Sequence, residues 1–149
     1  MSLVTQIIFG SCMLTACALI HVALVAVAVP YFSSLGHAIK RRRALLRNTV
    51  LLSFGVMVTV FAHTVQIWGW AFALYWLRAF GDFGTAFYFT IATYTTLGYG
   101  DLLLGPELRI FASFASITGL LTFGISTAML IGLVTRLLDI DNNRVTRND

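Results

Sequence analysis

The chain has 149 residues, of which 58% are hydrophobic and 11% charged; an average soluble domain is roughly a quarter charged. Its mean hydropathy is +0.86, more apolar surface than a soluble domain of this size can bury, so a soluble domain is excluded. The net charge of +4 does not read as a nucleic-acid footprint, because half of the ten basic residues sit in one cluster, Lys40, Arg41, Arg42, Arg43 and Arg47.

The first predicted element is a membrane-spanning helix over 3–30. No charged side chain occurs before Lys40, and about 20 apolar residues suffice to cross a bilayer as a helix. It lacks a basic start and exceeds the length of a secretory apolar segment, which argues against a cleaved signal peptide. Cys12 and Cys17 are five apart and point in different directions on a helix, so no unstrained disulfide joins them within it. They read as apolar packing. His21 lies near the middle of this span.

Residues 31–49 form a basic linker. Its Lys and Arg content places it in the cytoplasm. The run over 36–48 reads either as a topology signal alone or as an amphipathic interfacial helix. In the second case anionic lipid attracts it by about 1 kcal/mol per basic residue near the surface.

A second span covers 50–77 and runs outward. Trp68, Trp70, Tyr75 and Trp76 cluster at its outer end, where an aromatic belt belongs. His63 lies near its centre, with Gln66 one turn on along the same face. Ionisable groups at that depth are functional candidates. His21 and His63 therefore read either as a proton or metal sensor, or as neutral histidines bonded to Thr64, Gln66 or a neighbouring helix.

The apolar piece over 83–100 is too short for an ordinary crossing and is rich in Gly, Thr and aromatic residues. It reads as a re-entrant segment, with Asp82 as the N-cap of its helix. Non-helical backbone at membrane depth needs protein or a watery cavity beside it. Its Gly-x-Gly ending therefore suggests a pore. In Thr95-Thr96-Leu97-Gly98-Tyr99-Gly100-Asp101, Gly98 and Gly100 permit the dihedrals that aim successive carbonyls at one axis. Stacked carbonyls replace the water around a large monovalent cation such as K+. One chain supplies one strand of oxygens and a closed ring needs four, so the segment implies a homotetramer.

The third span, 107–137, returns to the cytoplasm. A short polar tail follows over 138–149, with Arg144 and Arg147. Asp139, Asp141, Asn142 and Asn143 lack the Gly and terminal Glu of a calcium loop. This topology leaves the amino terminus outside and the carboxy terminus cytoplasmic, in a plasma membrane of bacterial inner-membrane type. No Arg-repeat helix suggests a voltage sensor.

Thr96-Leu97-Gly98-Tyr99-Gly100-Asp101 resembles the Thr-Val-Gly-Tyr-Gly-Asp signature of potassium channels. Residues 85–95 are similar to that family's pore helix. Gly119-Leu120-Leu121-Thr122-Phe123-Gly124, then Ser126-Thr127-Ala128, resemble the inner helix of the two-helix bacterial channels, bending glycine included. The likeness covers 50–137, as in small bacterial ion channels with an extra amino-terminal helix. It implies ion sites formed by the carbonyls of Thr96, Leu97, Gly98, Tyr99 and Gly100 and the Thr96 hydroxyl. Gly119 would be a gating hinge, or a point of close helix packing. Leu120, Phe123, Thr127, Ala128 and Ile131 would line or adjoin a cavity. Two departures stand out. Leu97 replaces the family's Val or Ile, and Ala92 sits where many members carry a Glu that pairs with the filter Asp. Tyr88 is then the available donor to Asp101.

The expectation is an all-α membrane protein of three spanning helices and a re-entrant pore helix, assembled as a homotetramer. Its function would be passive K+ conduction, without catalysis, organic cofactor or nucleic-acid partner. A weakly selective cation channel and a non-conducting membrane sensor or partner subunit are the alternatives.

Overall fold

The structure, a computed structural model, describes residues 1–39 and 44–145. Its elements are α1 (Leu3–Ala38), α2 (Ala44–Trp76), α3 (Phe83–Tyr94) and α4 (Arg109–Val145), and no strand occurs among the described residues. Three helices are long and apolar enough to span a bilayer, over Leu3–Gly36, Leu45–Trp76 and Arg109–Leu138. α3, at 12 residues, reaches only about 18 Å at 1.5 Å per residue and falls short of the hydrocarbon core.

The helices overrun several expected ends. α1 carries Pro30 inside it and continues to Ala38. Proline removes one helical hydrogen bond, but ending the helix there would strand several backbone groups in an apolar medium. α2 opens at Ala44 rather than 50, and α4 opens at Arg109 and stays helical to Val145. The expected linker over 31–49 therefore contracts to the few residues between α1 and α2, and the expected tail is helical over most of its length. Of the interfacial helix expected over 36–48, the described parts belong to α1 and α2 instead. Lys40, Arg41, Arg42 and Arg43 lie outside the described residues. Arg47 is buried, and its guanidinium donates to Asn48 Oδ1 from Nε at 3.2 Å and Nη2 at 3.1 Å.

α1 packs on α4 and α2, while α3 is held between α2 and α4. α1 and α4 run parallel. Gln6 meets Ile110 and His21 meets Ser126, at sequence offsets of 104 and 105. Two helices crossing the bilayer in the same sense require α2 to cross in the opposite sense. The chain between α2 and α4 must then return to the side it left, which makes α3 and the residues after it re-entrant.

Gln6 also fastens the start of α4. Its Oε1 accepts from the Ile110 and Phe111 amides at 3.1 and 3.3 Å, and its Nε2 donates to the Pro106 carbonyl at 3.0 Å. The first four amides of a helix have no partner within it, and α1 supplies one here. The core joins Cys17 of α1, Trp70 and Leu74 of α2, Tyr94 of α3, and Phe111, Ala112 and Ala115 of α4. Trp70 is thus a core residue, fully buried with its ring 5.2 Å from Phe111, and not part of an interfacial belt. Phe111 of α4, rather than water or lipid, lies against the Trp70 ring. Trp68 packs on Phe83 and Phe87 of α3, whereas Trp76 is exposed. Both cysteines are free.

Candidate functional site

α3 is anchored at its start. Asp82 adopts an extended N-cap conformation and accepts from the Thr85 amide at 2.9 Å and the Thr85 hydroxyl at 2.6 Å. The Thr85 hydroxyl and then its amide hold the Asp82 carboxyl below its ordinary pKa, since both stabilise the ionised form. At the other end Thr95 closes the helix in a right-handed conformation. The backbone then alternates. Thr96, Gly98 and Gly100 have φ of 59°, 54° and 76°, while Leu97 and Tyr99 between them have no positive φ. A strand of uniform handedness points neighbouring carbonyls to opposite sides; alternating handedness turns them toward one side. The segment is tied back by hydrogen bonds from Thr96 N–H to Thr93 O and from Gly98 N–H to Ala92 O, both 3.0 Å. Ala92 therefore contributes its backbone to the candidate filter, and its methyl is buried.

Glycine at 98 and 100 is demanded by conformation, because a Cβ at either place would meet nothing within 4 Å. At Thr96 sequence reasoning placed the residue in the candidate filter but missed its left-handed backbone. A left-handed conformation costs an ordinary L residue about 1–2 kcal/mol, and a β-branched residue there is a true outlier. No pattern in the sequence marks it.

Beyond the glycines, the Tyr88 hydroxyl donates to Asp101 Oδ2 at 2.7 Å, and Asp101 Oδ1 accepts from the Leu102 amide at 3.1 Å. Leu97 and Tyr99 are 55% and 67% exposed in the single chain.

On α4, Leu120, Phe123, Thr127, Ala128 and Ile131 are all exposed and share one face. Gly119 is buried, and a Cβ there would overlap the Tyr94 carbonyl oxygen at the end of α3. Its position is one of close packing, and α4 is continuously helical through it. Ser116 adds a hydrogen bond from its hydroxyl to the Thr93 carbonyl at 2.8 Å.

His21 and His63 are brought together, with ring centroids 5.1 Å apart. Ser126 Oγ lies 3.0 Å from His21 Nε2 and 3.1 Å from His63 Nε2. His21 Nδ1 is 2.7 Å from Gln66 Nε2, and His63 Nδ1 is 2.8 Å from the Tyr94 hydroxyl. That hydroxyl donates to Gln66 Oε1 at 2.8 Å and lies 2.9 Å from Thr122 Oγ1. The expected bond to Gln66 is made by His21, not His63, and Thr64 bonds its own helix instead, donating to Val60 O. Among the described residues no group of three or more His, Cys, Asp or Glu is placed to hold a metal ion. Tyr94 and Ser126 are participants that reading one helix at a time does not reveal, since one sits in an apolar pore-helix pattern and the other in a small-residue stripe.

A re-entrant helix, a backbone of alternating handedness at its end and two flanking spans form a compact pore module. A family described as ion channel matches residues 48–136. The chain belongs to the ion channel family. The match takes in α2, α3, the candidate filter and most of α4, and it leaves α1 outside. No curated protein and no solved structure matches the chain. As an ion channel with three spanning helices, it is a multi-pass membrane protein of a non-enzyme kind.

Proposed function

We propose that this channel is a homotetramer that conducts K+ passively and selectively. The observation that carries this reading is the alternation of positive φ at Thr96, Gly98 and Gly100 within Thr-Leu-Gly-Tyr-Gly-Asp. The carbonyls of Thr96, Leu97, Gly98, Tyr99 and Gly100, with the Thr96 hydroxyl, stand in for the water around K+. Four copies around one axis complete each ring of oxygens. Leu97 and Tyr99, bare in one subunit, pack against the neighbouring one. The carboxyl end of α3, negative by its helix dipole, faces the cavity and favours a cation there. Leu120, Phe123, Thr127, Ala128 and Ile131 line or adjoin that cavity. Tyr88, Asp101 and the Ala92 backbone support the filter.

The basic residues Lys40, Arg41, Arg42 and Arg43 orient the chain with this end in the cytoplasm and the amino terminus outside. They also attract anionic lipid.

The decisive experiment is K+ flux from purified protein in liposomes, with reversal potentials in mixed K+ and Na+. A K+-selective flux abolished by Gly98→Asp supports the reading. Flux with a reversal potential near zero favours a weakly selective cation channel, a reading that Leu97 and Ala92 motivate. Absence of flux from a folded tetramer favours a non-conducting sensor.

A further inference from the structure

The contacts of His21 and His63 close on themselves. Gln66 Nε2 donates to His21 Nδ1, which makes Nε2 the protonated nitrogen of His21 and a donor to Ser126 Oγ. The Ser126 hydroxyl then donates to His63 Nε2, and His63 Nδ1–H donates to the Tyr94 oxygen. Tyr94 donates in turn to Gln66 Oε1 and the ring is complete. Each of the five groups donates once and accepts once. They come from α1, α2, α3 and α4, and Gln66, His21, Tyr94 and Ser126 are all buried.

The ring tolerates one alternative. Turning the Gln66 amide over reverses every donor and acceptor, and in that sense too each group is satisfied. In both senses His21 and His63 hold opposite tautomers. An added proton ends the single sense of the ring, because a histidinium has two donors and no acceptor, and the Tyr94 hydroxyl must then turn toward Thr122 Oγ1, 2.9 Å away. The other titratable groups beside the ring are Cys17 from α1 and Tyr94 itself from α3. No charged side chain occurs over 48–77, 83–100 or 110–135, so none on α2, α3 or the adjoining part of α4 offsets a positive charge there.

Tyr94 is two residues before Thr96, the first residue of the candidate filter. We propose that this neutral ring positions the end of α3, and through it the filter, and that α1, which lies outside the matched family region, acts on the pore by way of His21. The inference rests on the pore reading above. Tyr94, Ser126, Gln66, His63 and His21 are positioning residues that act through the end of α3. Deleting a single hydroxyl opens the ring and lets the end of α3 shift.

The test joins a spectroscopic signature to a functional one. In liposomes at neutral pH, with His37→Gln removing the third histidine, ¹⁵N spectra of the imidazoles should show one Nε2–H and one Nδ1–H tautomer. Ser126→Ala removes one hydroxyl at almost constant volume. It should abolish that pairing of tautomers and shift the K+/Na+ reversal potential toward zero. Ser126→Thr, which keeps the hydroxyl, should retain both. Tyr94→Phe should behave as Ser126→Ala does. Two histidines in one tautomer in the parent protein would overturn the ring. A K+-selective current unchanged in Ser126→Ala and Tyr94→Phe would overturn its positioning role. A parent protein that carries the tautomer pair but no K+-selective current would refute the pore reading itself, and this inference with it.

Discussion

Gly119 lies against the backbone carbonyl of Tyr94, at a separation that leaves no room for a Cβ. The contact fixes where α4 passes the end of α3. Alanine would favour a helix interior over glycine by about 1 kcal/mol, so a free hinge would be stabilised by Gly119→Ala. The opposite is expected. Overpacking of this kind costs about 1–3 kcal/mol, and Gly119→Ala should lower the thermal unfolding temperature of the detergent-solubilised protein. An unchanged or raised midpoint, with altered gating alone, would mean that the glycine acts as a hinge.

The hydrogen bond from Tyr88 to Asp101 spans 13 residues and closes the loop between α3 and the end of the candidate filter. Tyr88→Phe removes the donor while keeping the ring. Macroscopic K+ current should then decay faster during sustained opening, and selectivity should fall. Current traces identical to those of the parent protein would remove Tyr88 from any supporting role.

Gln6 is 2% exposed and serves two amides and one carbonyl at the start of α4. Gln6→Leu leaves those groups without their partner in an apolar setting, at about 1–3 kcal/mol for each unsatisfied group. The first turn of α4 should fray. Hydrogen exchange at the Ile110 and Phe111 amides should rise at least about tenfold, with slower-exchanging amides deep in α4 little affected. Equal protection in mutant and parent would show that water or lipid headgroups replace the side chain.

Asp82 gives the clearest acid response outside the spans. Its folded pKa lies below the ordinary carboxylate value because Thr85 donates to it twice. A depressed folded pKa means stabilisation that is present above the unfolded pKa and lost as pH falls through the folded one. The start of α3 should loosen in that acidic window, and Asp82→Asn should remove most of the response. A pH profile for α3 amide exchange that is the same in both proteins would assign the acid sensitivity elsewhere.

Much of this architecture is legible in the sequence because its signals are local. Uncharged runs mark the spans, Asp82 and Thr85 are three apart, and Tyr88 reaches Asp101 within one short loop. Helix ends are less legible, since Pro30 weakens a helix that the membrane nonetheless sustains. Trp70 reads as an interfacial residue until Phe111 of α4 packs against it. The ring through His21 and Ser126 joins positions 105 apart, and no local periodicity encodes the register of four helices. Thr96 is opaque for another reason, as its strained φ is imposed by its surroundings and contradicts its own preference.

The parallel register of α1 and α4 has a mechanical corollary. α1 grips α4 at Ile110 through Gln6 and again at Ser126 through His21, points about 24 Å apart along a helix. Gly119 lies between the two clamps, so the upper part of α4 behaves as a braced beam. A bend of α4 at Gly119 would have to break one of these two clamps.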